Sequence, residues 1–148
     1  MEFVKHIPAG ERHVAVLLGG LMQEIRAVFA AEDWQGLRQS HLRVIATVPA
    51  DGISVTELGE RLGMTKQGCG QFVTHLVGTG HLEAAVHPDD GRVRVVRRTA
   101  IGEQNVRDVT ERMARIEDDW RALVGERRYA DFRAVAEEIV LHDDSLAG

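Results

Sequence analysis

Between Arg12 and Ala30 the apolar residues Val14, Leu17, Leu18, Leu21, Ile25, Val28 and Phe29 recur at the spacing of one helix face. Gly19-Gly20 interrupts this helix, at about 1 kcal/mol per glycine relative to alanine, and makes room for another chain segment to approach closely. The pattern predicts a second helix from about Leu37 to Val48, stopped by Pro49, with a turn at Ala50-Asp51-Gly52. Ser54-Val55-Thr56-Glu57 then matches a capping box, in which hydroxyl and carboxylate satisfy exposed N–H groups reciprocally. A short helix follows through Leu58 and Leu62 to Gly63. Thr65 caps the next, which places Cys69, Phe72, Val73 and Leu76 on one face and Gln67, Gln71 and Thr74 on the other.

After Gly78 and Gly80 the period changes. His81 to Val86 and Arg92 to Arg98 read as two strands joined by His87-Pro88-Asp89-Asp90-Gly91, in which Asp-Gly is a hairpin turn signal. Helical spacing then returns. Val106, Val109, Met113, Ile116, Trp120 and Leu123 form a long amphipathic stripe ending at Gly125, and Phe132, Val135, Ala136, Ile139 and Val140 form a last one. The expected fold class is mostly α with a small β-hairpin wing (α+β). Residues 37–98 are a helix-turn-helix with a wing, flanked by helical regions 1–36 and 99–148. The flanking stripes either pack within one chain or pair two chains in a dimer seam.

Charge changes the picture. The chain of 148 residues has a net charge of -5, unevenly spread. Residues 1–60 carry five Lys/Arg against eight Asp/Glu, residues 61–98 six against three, and residues 99–148 seven against twelve. Arg92, Arg94, Arg97 and Arg98 concentrate the positive charge on one ribbon. A basic middle in an acidic chain fits a nucleic-acid binder, because the local field at the contact surface matters more than the total.

The stretch LGMTKQGCGQFVTHLVGTGHLE (Leu62 to Glu83), followed by HPDDGR and RTAIGE, resembles the MarR family of bacterial winged-helix regulators. The likeness is greatest to members whose recognition helix opens with Met-Thr-Lys-Gln. It extends in helix order over nearly the whole chain, with its specific motifs between about Leu42 and Gly102. The resemblance implies a homodimer formed by the flanking helices, two winged lobes contacting double-stranded DNA, and a small-molecule effector in a crevice between those regions. Asp90-x-Arg92 resembles the family's Asp-x-Arg wing motif, in which the aspartate orients the arginine.

The residues suit that chemistry. Gln67 and Gln71 reach outward, and glutamine bonds adenine N6 and N7 bidentately. Thr65, Lys66 and Thr74 suit phosphate or sugar contacts, and Gly70 and His75 share the DNA-binding helix. Arg92, near the wing tip, suits a narrow minor groove, with Arg94 next in line for phosphate. Gly91 stands where many relatives have another arginine, and Gly70 where they often have a hydroxyl residue. With Gly68 these departures leave two readings open: a mobile wing tip and a helix that firms up on DNA, or weaker DNA binding. His13, Trp34 and His41 are candidate effector-binding residues, with ordinary packing as their other use.

Other chemistries find less support. Cys69 shares the buried face, so it reads as a small core residue and not a redox sensor. A single cysteine excludes an internal disulfide and fits a reducing cytoplasm, with no secretory signal or membrane span expected. The seven histidines include no close His-x-x-x-His pair, and no metal or cofactor is expected. No phosphate loop or nucleophile elbow appears, and Asp89-Asp90 and Asp143-Asp144 read as solvated carboxylates, so an enzyme is not expected. The sequence therefore points to a ligand-responsive transcriptional repressor binding a pseudo-palindromic operator. The alternative is a winged-helix protein-interaction module.

Overall fold

Helix α1 (Glu2–Lys5) and a 3-10 turn (Ala9–Glu11) precede the first long helix, α2 (Val14–Ala30), in a computed structural model that describes residues 2–142. The two α2 glycines behave differently. A Cβ on Gly20 would lie 2.8 Å from Val4 Cγ2, so Gly20 is where α1 seats, whereas Gly19 faces open space. Val14, at 70% exposure, and Leu17, Leu18 and Met22 leave the early part of the apolar stripe uncovered.

α3 (Gln39–Thr47) buries Leu42, Val44 and Ile45. It ends at Val48, whose extended backbone is the one tolerated before Pro49. The sequence pattern missed strand β1 (Ile53–Ser54), which pairs antiparallel with a later strand through Ile53 and Val96. Two residues carry no alternation; only the partner strand reveals them.

Ser54 ends β1 and caps α4 (Val55–Leu62), its Oγ accepting the Glu57 N–H at 3.1 Å. The reciprocal half of the expected capping box is replaced, because the Glu57 carboxylate pairs with Arg61 one turn on, at 2.8 Å. Gly63 closes α4 in the left-handed region (φ 64°), a conformation a Cβ disfavours.

α5 (Lys66–Gly78) starts at its Thr65 cap, where the hydroxyl accepts the Gly68 N–H at 3.0 Å. It buries Cys69, Val73 and Leu76. Gly59 of α4 sits opposite Cys69: a Cβ there would lie 3.4 Å from Cys69 Cβ and 3.3 Å from the Met64 carbonyl. The residue kept small by the approach of α4 to α5 is thus Gly59. Burial also pushes the Cys69 thiol pKa up, the reverse of a reactive thiol.

β2 (Leu82–His87) and β3 (Asp90–Arg98) form the hairpin, and the sheet order is β1-β3-β2. Pairing runs regularly from Leu82–Arg98 to Val86–Arg94 and then slips, so that His87 faces Asp90. The turn therefore falls at Pro88-Asp89. Asp90-Gly91, expected in the connection, opens β3 instead. Phe29, Val44, Ile45, Val48, Leu58, Val73, Leu76, Leu82 and Val96 are buried as the core of α2 to α5 and the sheet.

α6 (Ala100–Val124) begins where Thr99 Oγ1 accepts the Gly102 N–H at 3.2 Å. It stops before Gly125, as its pattern predicts, and α7 (Glu126–Leu141) follows. The chain divides into two compact units, residues 1–110 and 111–148. In the second, Tyr129 is buried, donates its hydroxyl to Glu117 Oε1 at 2.9 Å and carries the Arg121 guanidinium 4.9 Å above its ring. Ile139 is 71% exposed, and Phe132, Val135 and Val140 are also uncovered. Asp143 and Asp144 lie outside the described residues. Among the described residues no helix is long and apolar enough to cross a membrane.

Candidate nucleic-acid interface

The two faces of α5 separate cleanly. With Cys69, Val73 and Leu76 turned into the core, Lys66, Gln67, Gln71, Thr74 and His75 are all exposed. Gln67, Gln71 and Thr74 follow at steps of four and three, which aligns them on one outward stripe. Thr65 remains exposed, but its hydroxyl oxygen already holds the Gly68 N–H. The glycines inside α5 have distinct settings. A Cβ on Gly68 would approach Thr65 Oγ1 to 3.1 Å, crowding the cap, whereas Gly70 has nothing within 4 Å.

On the wing, Asp90 Oδ1 accepts both the Arg92 backbone N–H at 3.0 Å and Arg92 Nε at 3.3 Å. The backbone bond first, and the guanidinium second, hold the Asp90 carboxyl below its ordinary pKa. Asp90 therefore orients an arginine whose side chain is 92% exposed. Strand alternation then sorts the ribbon. Arg92 and Arg94 border one cleft, Val95 and Arg97 border a second with Gly52 and Pro88, and Val93 borders both. Arg98, only 13% exposed, pairs with Glu103 at 3.1 Å at the base of the wing.

The first cleft, of about 650 Å³, brings the candidates together. Lys66, Gln67 and Gly70 line one wall, Arg92, Val93 and Arg94 another, and Ser54, Val55 and Thr56 at the start of α4 the third. The contribution of α4 was missed in the sequence. Its one available signal was the capping serine, which marks a helix start with outward N–H groups.

The candidate effector residues are placed separately. Trp34 stacks on Phe29 with centroids 5.2 Å apart and donates its indole N–H to the Phe29 carbonyl at 2.9 Å. His13 stands exposed at the N-cap of α2 without a capping side-chain bond. His41 stacks on His75 of α5 with centroids 4.7 Å apart. The two histidines, expected at the effector and DNA sites respectively, are thus neighbours. Among the described residues no group of three or more His, Cys, Asp or Glu could hold a metal ion.

Residues 35–93, the segment from the start of the α3 region to the middle of the wing, match the sequence profile of the MarR family. Over that segment the chain is similar to the MarR family. The fold of nearly the whole chain is that of MarR-family structures. MarR itself superposes with a TM-score of 0.79 at 18% identity, covering 91% of this chain and 92% of that one. The PcaV transcriptional regulator from Streptomyces coelicolor, in complex with its natural ligand, gives 0.67 at 22% identity over 90% and 95%. FabT from Streptococcus pneumoniae, in complex with DNA, gives 0.73 at 12% identity over 86% and 92%. No curated protein sequence matches the chain significantly. In this winged-helix fold α5 is the second helix of the helix-turn-helix and β2–β3 form the wing.

Proposed function

We propose that this chain is a DNA-binding regulator of transcription. In this reading it acts in the cytoplasm as a homodimer on a pseudo-palindromic operator, represses its target and releases DNA when a small-molecule effector binds. The observation that carries the reading is the cleft between α5 and the wing. It sets hydrogen-bonding side chains for base edges (Gln67, and Gln71 on the same stripe) beside cations for the backbone (Lys66, Arg92, Arg94). Lys66, Arg92 and Arg94 on one cleft raise the local positive potential of an otherwise acidic chain.

The homodimer is supported by the uncovered apolar residues of α2 (Val14, Leu17, Leu18, Met22) and α7 (Phe132, Val135, Ile139, Val140). A monomer in water leaves such surface exposed at a free-energy cost that a two-fold partner removes. The likeness to PcaV, whose crystal structure holds its natural ligand, supports the effector part of the reading.

Fluorescence anisotropy on duplex DNA from upstream of the chain's own reading frame, over a range of salt concentrations, tests the reading. Affinity is expected to fall log-linearly with salt, with a slope of about -0.9 per neutralised phosphate. Light scattering is expected to give twice the chain mass. Failure to bind any duplex at low salt would overturn the proposal and leave the winged unit as a protein-interaction module.

A further inference from the structure

His41 is the third residue of α3, the position from which a capping-box side chain reaches back to the N-cap N–H. Its Nδ1 accepts the Arg38 N–H at 3.0 Å. A ring nitrogen that accepts a hydrogen bond carries no proton, so this bond needs Nδ1 bare. The same ring lies on α5: it stacks on His75 with an interplanar angle of 23° and meets Phe72 edge-on, centroids 5.5 Å apart. One imidazole therefore caps α3 and braces the helix that carries Gln67 and Gln71.

We infer that His41 is a positioning residue for the DNA-reading helix, and that it holds α5 in register only while its ring is neutral. The inference rests on the DNA-binding reading above. Protonating Nδ1 takes the acceptor away from the Arg38 N–H and sets a cation against the face of His75. The charged or titratable groups acting on His41 are His75 from α5 and Arg38 from its own helix; Phe72, the other α5 contact, carries no charge. Burial first, then His75, then Arg38, lower its pKa. The assembled helix pair therefore binds fewer protons than the separated one. It is favoured above the ordinary histidine value of about 6.5 and weakened as pH falls through and below that value.

His41→Gln separates the proton from the packing, since glutamine at this position still offers an acceptor to the N-cap N–H but does not titrate. Wild type and His41→Gln are titrated from pH 8 to pH 5.5, at fixed ionic strength, with a duplex selected by the wild type from a random library at pH 8. Each curve is normalised to its own pH 8 value. The wild-type affinity should drop relative to the variant by roughly five- to tenfold at pH 5.5, since one proton gives at most tenfold per pH unit. Parallel curves would overturn the role of His41 while leaving DNA binding intact. A wild type that captures no duplex at pH 8 would sink the DNA reading and this inference with it. A second measurement needs no DNA: following the His41 ring by NMR, His75→Gln should raise its pKa, and an unchanged titration would show that the two rings are not coupled.

Discussion

Replacing Gly102 with alanine should destabilise this protein even though alanine is the better helix former. The added methyl carbon would stand 2.1 Å from the His81 carbonyl oxygen and 3.4 Å from Arg98 Cβ. Reaching van der Waals separation requires a displacement of about an ångström or more. Neither side is free to slide. The His81 carbonyl accepts the Thr99 N–H at 3.2 Å, Thr99 Oγ1 accepts the Gly102 N–H at 3.2 Å, and the Thr99 hydroxyl donates to the Gly80 carbonyl. Overpacking of this kind costs about 1–3 kcal/mol, and losing one of those hydrogen bonds adds about 1. Helix propensity returns about 1 kcal/mol. The net is a loss of about 2 kcal/mol, or roughly 4–8 °C in Tm for a chain of this size. Thermal melts at one fixed chain concentration, so that association contributes equally, measure it. Gly70→Ala is the control: nothing lies within 4 Å of its new methyl, and it should gain up to about 1 kcal/mol. A Gly102→Ala protein at least as stable as wild type would refute the reasoning.

Cys69→Ser buries a hydroxyl at a fully enclosed position and should cost about 1–3 kcal/mol, read by urea unfolding. Any peroxide effect on DNA binding should persist in that variant; its disappearance would make Cys69 a sensor. Arg92→Ala should weaken selected and scrambled duplexes together and reduce the salt slope by about one. Gln71→Ala should leave the slope unchanged and cost about 1–3 kcal/mol on the selected duplex alone, and equal loss on both would assign it a positioning role. The chain has a single tyrosine, so an absorbance titration reports Tyr129 directly. Burial and then the Glu117 hydrogen bond raise its pKa, so it should ionise above the usual value of about 10. Its stabilising contribution is present below that value and lost as pH rises through the raised one, and Tyr129→Phe should remove this alkaline decline.

The long helices were legible because their stripes repeat over several turns: α2, α6 and α7 fall close to the expected places, with Gly125 between the last two. The two-faced character of α5 was equally local, since Cys69, Val73 and Leu76 versus Gln67, Gln71 and Thr74 follow from the helical period alone. The Asp90–Arg92 pair was readable too, because two residues of separation leave few geometries.

What escaped the sequence depends on partners far along the chain. β1 exists because Ile53 meets Val96, and the turn sits at Pro88-Asp89 because pairing slips after Val86, outweighing the local Asp90-Gly91 signal. The Glu57 carboxylate chose Arg61 over the capping box, since a flexible side chain settles by competition between neighbours. His41 and His75 lie on different helices and carry no shared pattern; only their packing makes them one site. The glycines make the same point. Composition shows only that Gly70 and Gly102 are weak helix formers, and tertiary packing decides that one faces open space while the other is pressed against a carbonyl. Periodicity within one element is written in the chain because the backbone repeats. Contact between elements is a property of volumes that meet only after folding.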